Sequence, residues 1–352
     1  MKWRQWSRTL SGLMWPGLRR RQSAKLPRRG PVTHVIILDG TLSSLTPGCE
    51  SNAGLTYRLL SEVNGASTSV FYESGMQWQD WGATMDVLAG RGINRQIRRA
   101  YGYLASRYNP GDKIFLFGFS RGAYAVRSLA GAIDQVGLLQ TEHATERNVK
   151  MAYRHYECTP GSPAAHDFRT AYCHEETPIE MIGVWDTVKA LGIRLPYLWR
   201  WSEDQHSFHS HRLGPSIRHG YHALALDETR AVFSPVLWES PENHKGKVEQ
   251  VWFRGSHGDV GGQLGGFHAA RPLSNIPLVW MLERAQDCGL ELPENWTARF
   301  PRDANAPSVG TWRDWGKIFL IRGKRQVGDD PSERVHETAK AVEGVPGEGH
   351  VA

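Results

Sequence analysis

The chain has 352 residues, of which 40% are hydrophobic and 22% are charged, so its composition is that of a globular protein rather than a fibrous or fully disordered one. The formal net charge is +6, but residues 1–33 contain nine Lys and Arg residues and no Asp or Glu. Subtracting those nine charges leaves −3 for the remaining chain, which offers no basic surface for nucleic acid, and we expect no nucleic-acid partner.

The basic N-terminal tail, residues 1–33, comes first in chain order. Trp3, Trp6 and Leu10 would share one face of a helix, which is typical of a segment that lies on an anionic membrane surface. We therefore consider peripheral membrane contact through residues 1–21. We favour the alternative of a disordered leader, because so short a helix is marginal in water.

The sequence predicts neither export nor a membrane span. No apolar run approaches the roughly 20 residues that cross a bilayer, and no small-residue cleavage site follows the basic N-terminus. The four cysteines are far apart and have no C-x-x-C spacing, which is typical of free thiols in a reducing compartment. We expect a cytoplasmic protein, peripheral at a membrane if the N-terminal tail binds lipid.

The rest of the chain alternates between predicted strands and helices. Apolar runs predict buried strands over residues 34–38, 69–72, 113–117, 179–185, 248–253 and 317–321. Apolar residues at three- and four-residue steps predict helices over residues 92–108, 123–133 and 276–288. This order predicts an α/β fold with a mostly parallel central sheet and helices on both faces. We place one domain at residues 34–324, with a lid or crossover over 193–222 and a loose C-terminal tail over 325–352.

The stretch Gly118-Phe119-Ser120-Arg121-Gly122 has the pattern G-x-S-x-G between an apolar strand and an amphipathic helix. This context is typical of the nucleophile elbow of α/β-hydrolases, in which a Cβ at either glycine would clash. The N–H of Arg121, at the start of the helix, would stabilise an oxyanion. A serine that only caps the helix is the alternative, but the flanking elements favour a nucleophile.

A serine nucleophile needs a base and an acid that orients the base. Asp186 and His257 follow Ser120 in the required order and stand at predicted strand ends. Catalytic groups of parallel sheets collect at the carboxyl ends of strands, so both are suitable. Asp259 could also hold His257, but we favour a role for Asp259 in bracing its glycine-rich loop.

Asp39-Gly40-Thr41 ends the first predicted strand. We interpret it as the loop that supplies a second oxyanion donor, from the N–H of Gly40 or Thr41. Asp39 precedes Ser120 and so fits poorly as the triad acid. An ordinary Asp-Gly turn is the alternative.

A cluster of histidines precedes the last third of the chain: His206, His209, His211, His219 and His222. Such density can indicate a metal site. No Cys lies nearby and the spacing does not suit one helix face, so we predict a solvated or lid-like patch, no metal and no cofactor.

Five motifs follow one another along the chain: Asp39–Thr41, GFSRGAYAVRSLAG from Gly118, GVWDTV from Gly183, HALALDETR from His222 and WFRGSHGDVGG from Trp252. Together they resemble an α/β-hydrolase family over residues 34–290. That family was first catalogued as a bacterial and fungal domain of unknown function, and it contains the catalytic domains of type VI secretion phospholipase effectors. The resemblance implies a triad of Ser120, Asp186 and His257 and ester hydrolysis, with membrane phospholipid as the substrate of the effectors.

The resemblance assigns no catalytic role to His222, Asp227 or Arg230 of HALALDETR, where we expect a helix with an internal ion pair. The sequence departs from the family at Leu42-Ser43, where Trp-Asn is usual, and in the loop that follows Phe71. We therefore expect the acyl or headgroup preference to differ.

We predict a serine hydrolase that cleaves carboxylic esters of lipids or phospholipids through an acyl-enzyme. A soluble short-chain esterase or thioesterase is one alternative. A non-catalytic binding protein on a hydrolase fold is the other.

Overall fold

The computed structural model describes residues 29–63, 65, 67–75, 91–188, 213–240, 246–313 and 321–340. The chain divides into two compact units, Met1–Gly30 and Pro31–Ala352. The candidate membrane contact over residues 1–21 lies outside the described residues, as does most of the predicted lid.

Within the described residues, seven strands form one sheet: β1 (Thr33–Leu38), β2 (Thr68–Glu73), β3 (Lys113–Phe119), β4 (Ile179–Trp185), β5 (Ile217–Ala225), β6 (Lys247–Phe253) and β7 (Glu333–Val335). The strand order is β2-β1-β3-β4-β5-β6-β7, and all neighbours pair in parallel. The chain moves from β1 to β2 on one side and then to β3 on the other, so the winding reverses between β1 and β3. Ligands of open α/β sheets bind at the carboxyl edge beside such a reversal.

The helices lie on both faces of this sheet. They are α1 (Asn52–Glu62), α2 (Arg91–Ala105), α3 (Arg121–Gln135), α4 (Glu146–Cys158), α5 (Pro163–Tyr172), α6 (His257–Gly261), α7 (Arg271–Asp287) and α8 (Glu337–Lys340). Helices α2, α3 and α4 share a core with Ile36 and Leu116, and α1 and α7 share another with Val35 and Phe115. Successive strand residues point to opposite faces, so the continuous apolar runs of β1 and β3 are buried on both. The predicted fold class is confirmed.

Two predictions about the second half of the chain are wrong. The predicted lid or crossover is wrong over residues 217–222, because these residues belong to β5, which lies in the sheet between β4 and β6. Residues 325–340 are not a loose tail, because β7 pairs with β6 and Ala339 is buried. Both β5 and β7 contain charged and polar side chains whose partners lie elsewhere in the fold. Neither strand therefore has the apolar run from which a buried strand is predicted.

The strand predicted over residues 317–321 lies outside the described residues except for Ile321, which is not in a strand. All four cysteines are free thiols, as predicted. Among the described helices, none has both the length and the apolar character that a membrane crossing requires.

Candidate active site

Ser120 lies at the sharp turn from β3 into α3. Its backbone has φ 56° and ψ −119°, a conformation that costs a residue other than glycine on the order of 1–3 kcal/mol. Two close approaches accompany the turn: a Cβ on Gly118 would lie 2.6 Å from the Ala123 Cα, and one on Gly122 would lie 2.1 Å from the Leu38 carbonyl oxygen. The Ser120 side chain makes no cap bond to α3, which removes the alternative that it only caps the helix.

Ser120, His257 and Asp186 are joined by hydrogen bonds, and all three are buried. Ser120 Oγ lies 2.9 Å from His257 Nε2, and His257 Nδ1 lies 2.6 Å from Asp186 Oδ2. An ionised carboxylate only accepts, so Nδ1–H donates to Asp186 and Nε2 is left to accept the Ser120 hydroxyl proton. The structure therefore brings together the three residues that the sequence selected, at the carboxyl ends of β3, β4 and β6.

Asp186 is held by a guanidinium that the sequence did not predict. Arg325 Nη1 lies 2.6 Å from Asp186 Oδ1, and its Nη2 lies 2.9 Å from Oδ2. The Arg325 side chain is only 5% exposed and also donates to the carbonyl oxygens of Ala225 and Phe233. Arg325 therefore joins the C-terminal segment to the loop after β4 and to the end of β5 and its following loop by hydrogen bonds.

Arg325 keeps the acid ionised. Burial alone would raise the pKa of Asp186, but the Arg325 guanidinium and the hydrogen bond from His257 outweigh it, and the pKa lies well below its usual range. Asp186 is therefore a carboxylate, and an acceptor for the His257 Nδ1–H, throughout the neutral pH range. No local pattern in the sequence marks Arg325, since an arginine in a charged, Gly-containing segment is usually solvated.

A second buried histidine fixes the loop that carries Asp186. His222 Nε2 accepts the Thr187 N–H at 3.1 Å, and His222 Nδ1 lies 3.4 Å from Gln250 Oε1. Burial and the nearby Arg127 charge lower the pKa of His222 to about 3. His222 is therefore neutral and serves as an acceptor for the backbone next to the acid.

The turn after β5 holds the loop that carries His257. Asp227 Oδ2 accepts the Gly255 N–H at 2.6 Å, and Glu228 Oε2 accepts the His257 N–H at 3.0 Å. Arg230 donates to both oxygens of the buried Glu228. The motif HALALDETR is thus the end of β5 and a turn, not the predicted helix, and its residues hold the backbone beside both the acid and the base.

Two phenylalanines enclose the His257 ring. Its centroid lies 4.8 Å from that of Phe119 and 4.6 Å from that of Phe233, which stacks at 15°. Such contacts exclude water from the ring and fix its orientation. Phe119 belongs to the elbow motif, but the contact of Phe233 depends on the three-dimensional fold.

The Asp259 carboxylate is hydrogen-bonded to the loop around His257 and to residues 308–309. Its carboxylate accepts the N–H and the hydroxyl of Ser256, the Ser308 hydroxyl and the Val309 N–H. These bonds occupy both oxygens of Asp259, and the bond to the His257 ring comes from Asp186 instead.

Asp39 ties its own loop to α1 and β2. Its Oδ1 accepts the Gly40 N–H at 2.7 Å, and its Oδ2 accepts the hydroxyls of Ser51 at 2.6 Å and Tyr72 at 2.8 Å. Burial raises the pKa of Asp39 even though these donors oppose the change. Since these partners are Gly40, Ser51 and Tyr72, Asp39 belongs to the loop rather than to the hydrogen-bond chain of Ser120.

The candidate oxyanion donors lie beside Ser120. A Cβ on Gly40 would be 3.4 Å from the Ser120 Cβ, but the Gly40 N–H is engaged by Asp39. The Thr41 N–H has no acceptor among the described residues. The Arg121 N–H lies in the first turn of α3, where helices leave N–H groups without an internal acceptor. Of the three predicted donors, Arg121 and Thr41 stay candidates and Gly40 does not.

Across the part of the chain that the structure describes, no group of His, Cys, Asp and Glu side chains is placed to hold a metal ion. Of the clustered histidines, His206, His209 and His211 lie outside the described residues. His219 and His222 lie on β5, so the predicted solvated patch is wrong at this end of the cluster.

A parallel sheet with these loops at its carboxyl edge places the chain in the α/β-hydrolase class. Over residues 33–284 the sequence matches the family described as "T6SS, Phospholipase effector Tle1-like, catalytic domain". The match covers more than half of the chain, so the chain belongs to this family, and the predicted resemblance is confirmed.

Individual relatives are distant. Uncharacterized protein YEL023C of Saccharomyces cerevisiae is 28% identical over 230 residues, which are 58% of this chain and 32% of that protein. This chain therefore spans about a third of the length of that relative. An uncharacterized protein from Pseudomonas aeruginosa is similar in structure, with 16% identity, a TM-score of 0.41 and coverage of 79% of this chain and 52% of that one. The Tle1 effector bound to the VgrG spike of the Type 6 secretion system has 17% identity, a TM-score of 0.31 and coverage of 67% and 52%.

Proposed function

We propose that this protein is a serine hydrolase that cleaves acyl ester bonds of lipids, phospholipids among them, through an acyl-enzyme on Ser120. The observation that carries the proposal is the hydrogen-bond chain from Ser120 Oγ through His257 to Asp186, with distances of 2.9 and 2.6 Å. Membership of the Tle1-like phospholipase effector catalytic domain family supports a lipid ester as the substrate.

In the first step His257 Nε2 takes the hydroxyl proton while Ser120 Oγ attacks the ester carbonyl carbon. The oxyanion accepts hydrogen bonds from the N–H groups of Arg121 and Thr41. The tetrahedral intermediate then collapses: the bond to the alcohol breaks, the alcohol leaves with the proton from His257, and the acyl group stays on Ser120. In the second step His257 deprotonates a water molecule, which attacks the acyl carbon. The bond from that carbon to Ser120 Oγ then breaks, His257 returns the proton to Oγ, and the carboxylic acid leaves.

Asp186 stabilises the imidazolium that forms in each step. Its bonds to Ala225 N–H, at 3.0 Å, and to Arg325 keep its carboxylate in place while His257 gains and loses a proton. Phe119 and Phe233 restrict the ring to the orientation that serves both Ser120 and Asp186.

The test is hydrolysis of nitrophenyl esters of increasing chain length and of phospholipid liposomes by the purified protein. Ser120→Ala is expected to lower kcat by at least about 10³-fold on every substrate, whereas Ser61→Ala, at an exposed serine of α1, leaves it unchanged. Activity that rises with chain length and includes liposomes supports the lipid hydrolase.

The same assay separates the alternatives. Ser120-dependent activity on short esters alone would keep the triad and replace the lipid substrate by a small soluble ester. Equal rates for the parent and Ser120→Ala on all substrates, with both proteins folded, would contradict catalysis and favour a binding protein.

A further inference from the structure

The two most exposed large apolar side chains of the described chain lie at one edge of the candidate site. Ile321 is 72% exposed and Trp312 is 60% exposed. Large apolar side chains are usually more buried than this. The Ala231 N–H donates to the Ile321 carbonyl oxygen at 3.0 Å. Residues 231–233 include Phe233, whose ring stacks on His257, so Ile321 lies beside the segment 229–233 that covers the base.

Arg322 links Trp312 to the segment 229–233. The Arg322 guanidinium lies 3.5 Å from the centre of the Trp312 ring and donates to the hydroxyls of Thr229 and Thr311 at 3.1 and 2.8 Å. The backbone of Gly323 donates to the Thr229 carbonyl oxygen at 2.8 Å. The exposed tryptophan ring is therefore stacked on a guanidinium that is itself held by Thr229 and Thr311.

An exposed leucine stands on the opposite side of Ser120. Leu42 is 42% exposed and has φ 62°, a left-handed conformation that is strained for a side chain of its kind. It follows the Asp39–Thr41 loop at the end of β1, while Thr229 and Phe233 follow β5. With neighbouring strands about 4.8 Å apart, β1 and β5 are about 14 Å apart across β3 and β4. Exposed apolar groups thus flank the ends of β3 and β4, where Ser120 and Asp186 lie.

Cationic side chains lie close in sequence to these apolar groups. Described residues 311–313 and 321–330 contain four of them, Arg313, Arg322, Lys324 and Arg325, and two acidic residues, Asp329 and Asp330. Arg325 is neutralised by Asp186, but Arg313 and Lys324 are exposed. The chain outside the N-terminal tail has a net charge of −3, so this local excess is not a consequence of overall composition.

We propose that Leu42, Trp312 and Ile321, with Arg313 and Lys324, form a docking face that binds the surface of an anionic lipid bilayer. Exposed aromatic and aliphatic side chains enter the headgroup region, and neighbouring Lys and Arg attract anionic lipids. This inference rests on the proposed function in one respect: the docking face surrounds the site, so it would present the site to the lipid that it cleaves.

The experiment measures binding to vesicles separately from hydrolysis. The full chain carrying Ser120→Ala is sedimented with vesicles of phosphatidylcholine and phosphatidylglycerol, and with vesicles of phosphatidylcholine alone. Adding Trp312→Ser and Ile321→Ser is expected to weaken binding at least about tenfold, because each side chain loses its apolar burial in the bilayer. Met151→Ser with Tyr172→Ser, which removes exposed apolar groups from α4 and α5, is the matched control and leaves binding unchanged.

Charge is tested in the same assay. Arg313→Gln with Lys324→Gln is expected to weaken binding to the anionic vesicles and to leave the smaller binding to phosphatidylcholine alone unchanged. Added salt removes the difference between these variants and their parent, because screening weakens attraction at the surface.

Three outcomes would overturn the docking face: no binding by the parent, unchanged binding after Trp312→Ser and Ile321→Ser, or an equal loss in the matched control. In the chain that keeps Ser120, the same two substitutions are expected to lower liposome hydrolysis and leave hydrolysis of a short soluble ester unchanged. Vesicle binding that depends on the docking face, without any Ser120-dependent hydrolysis, would contradict the proposed function and support the docking face.

Discussion

The carboxylate of Asp186 is shared between two groups, the His257 ring and the Arg325 guanidinium. Because the Asp186 pKa is lower in the folded protein than the unfolded value of about 3.9, its ionisation favours the folded state above about pH 4. That contribution is lost as the pH falls through the folded-state pKa. Arg325 thus stabilises the ionised acid, and at the same time it competes with the His257 imidazolium for the same charge.

Arg325→Gln is expected to move the acidic limb of the pH profile of kcat/KM to higher pH by about one unit. Without the Arg325 charge, burial raises the Asp186 pKa, so the carboxylate that orients His257 is lost at a higher pH. The titratable and charged groups that face the Asp186 carboxylate are Arg325, His257 and the buried, neutral His222. The measurement is the initial rate on a short soluble ester from pH 4.5 to pH 8.5.

Lys324→Gln is the matched control for this prediction, since it removes one positive charge from the neighbouring, exposed position. It is expected to leave the profile in place. If Arg325→Gln lowered the rate equally at every pH, or if both variants moved the limb by the same amount, Arg325 would have a structural role only.

Among the described strands, β5 is the one on which both loops of the site depend. Its residue His222 accepts the Thr187 N–H beside the acid, and the turn after the strand supplies Asp227 and Glu228 to the loop of the base. The strand was not predicted, because Arg218, His219 and His222 interrupt any apolar run. Its polar groups find partners only when β4 and β6 are in place on either side.

His222→Gln is expected to make the stability less sensitive to acid. The His222 pKa is about 3 in the folded protein and about 6.5 unfolded, so below about pH 6.5 protons bind preferentially to the unfolded chain. Each unit of pH below that value therefore costs about 1.4 kcal/mol of unfolding free energy, and about 2 kcal/mol is lost between pH 6.5 and pH 5. Urea unfolding at both pH values measures the loss.

In His222→Gln that loss is expected to shrink by about 2 kcal/mol, because an amide does not take up a proton in this range. His219→Gln, a half-buried position on the same strand, is the comparison and retains the loss of the parent. A pH dependence that is the same in the parent and His222→Gln would show that this histidine is not buried in its neutral form.

For the molecule as a whole, the sequence was sufficient for the class of fold and for the three residues of the hydrogen-bond chain. The aliphatic runs of β1 and β3 are local signals of buried parallel strands, and the elbow around Ser120 is a local signal of a strained turn. Asp186 and His257 could be selected because parallel strands bring their carboxyl ends to one edge.

The remaining contacts of the site depend on distant parts of the chain. Arg325 is 139 positions from Asp186, and no pattern around it distinguishes a buried partner from a solvated cation. β7 is three residues long and reads as a charged segment, yet Arg334 pairs with Glu249, and Glu333 accepts the indole N–H of Trp252. Such pairs join residues that are far apart in the chain and form only in the folded sheet. The composition of the C-terminal segment therefore predicted a loose tail.

Covalent trapping by a fluorophosphonate, measured as the intact mass and then mapped to a peptide, tests directly whether Ser120 is a nucleophile. We expect one phosphonate per chain, on Ser120, with no adduct in Ser120→Ala and labelling that is slower by at least about 100-fold in His257→Ala. A folded protein that stays unlabelled, or an adduct that forms equally in Ser120→Ala, would contradict this role of Ser120.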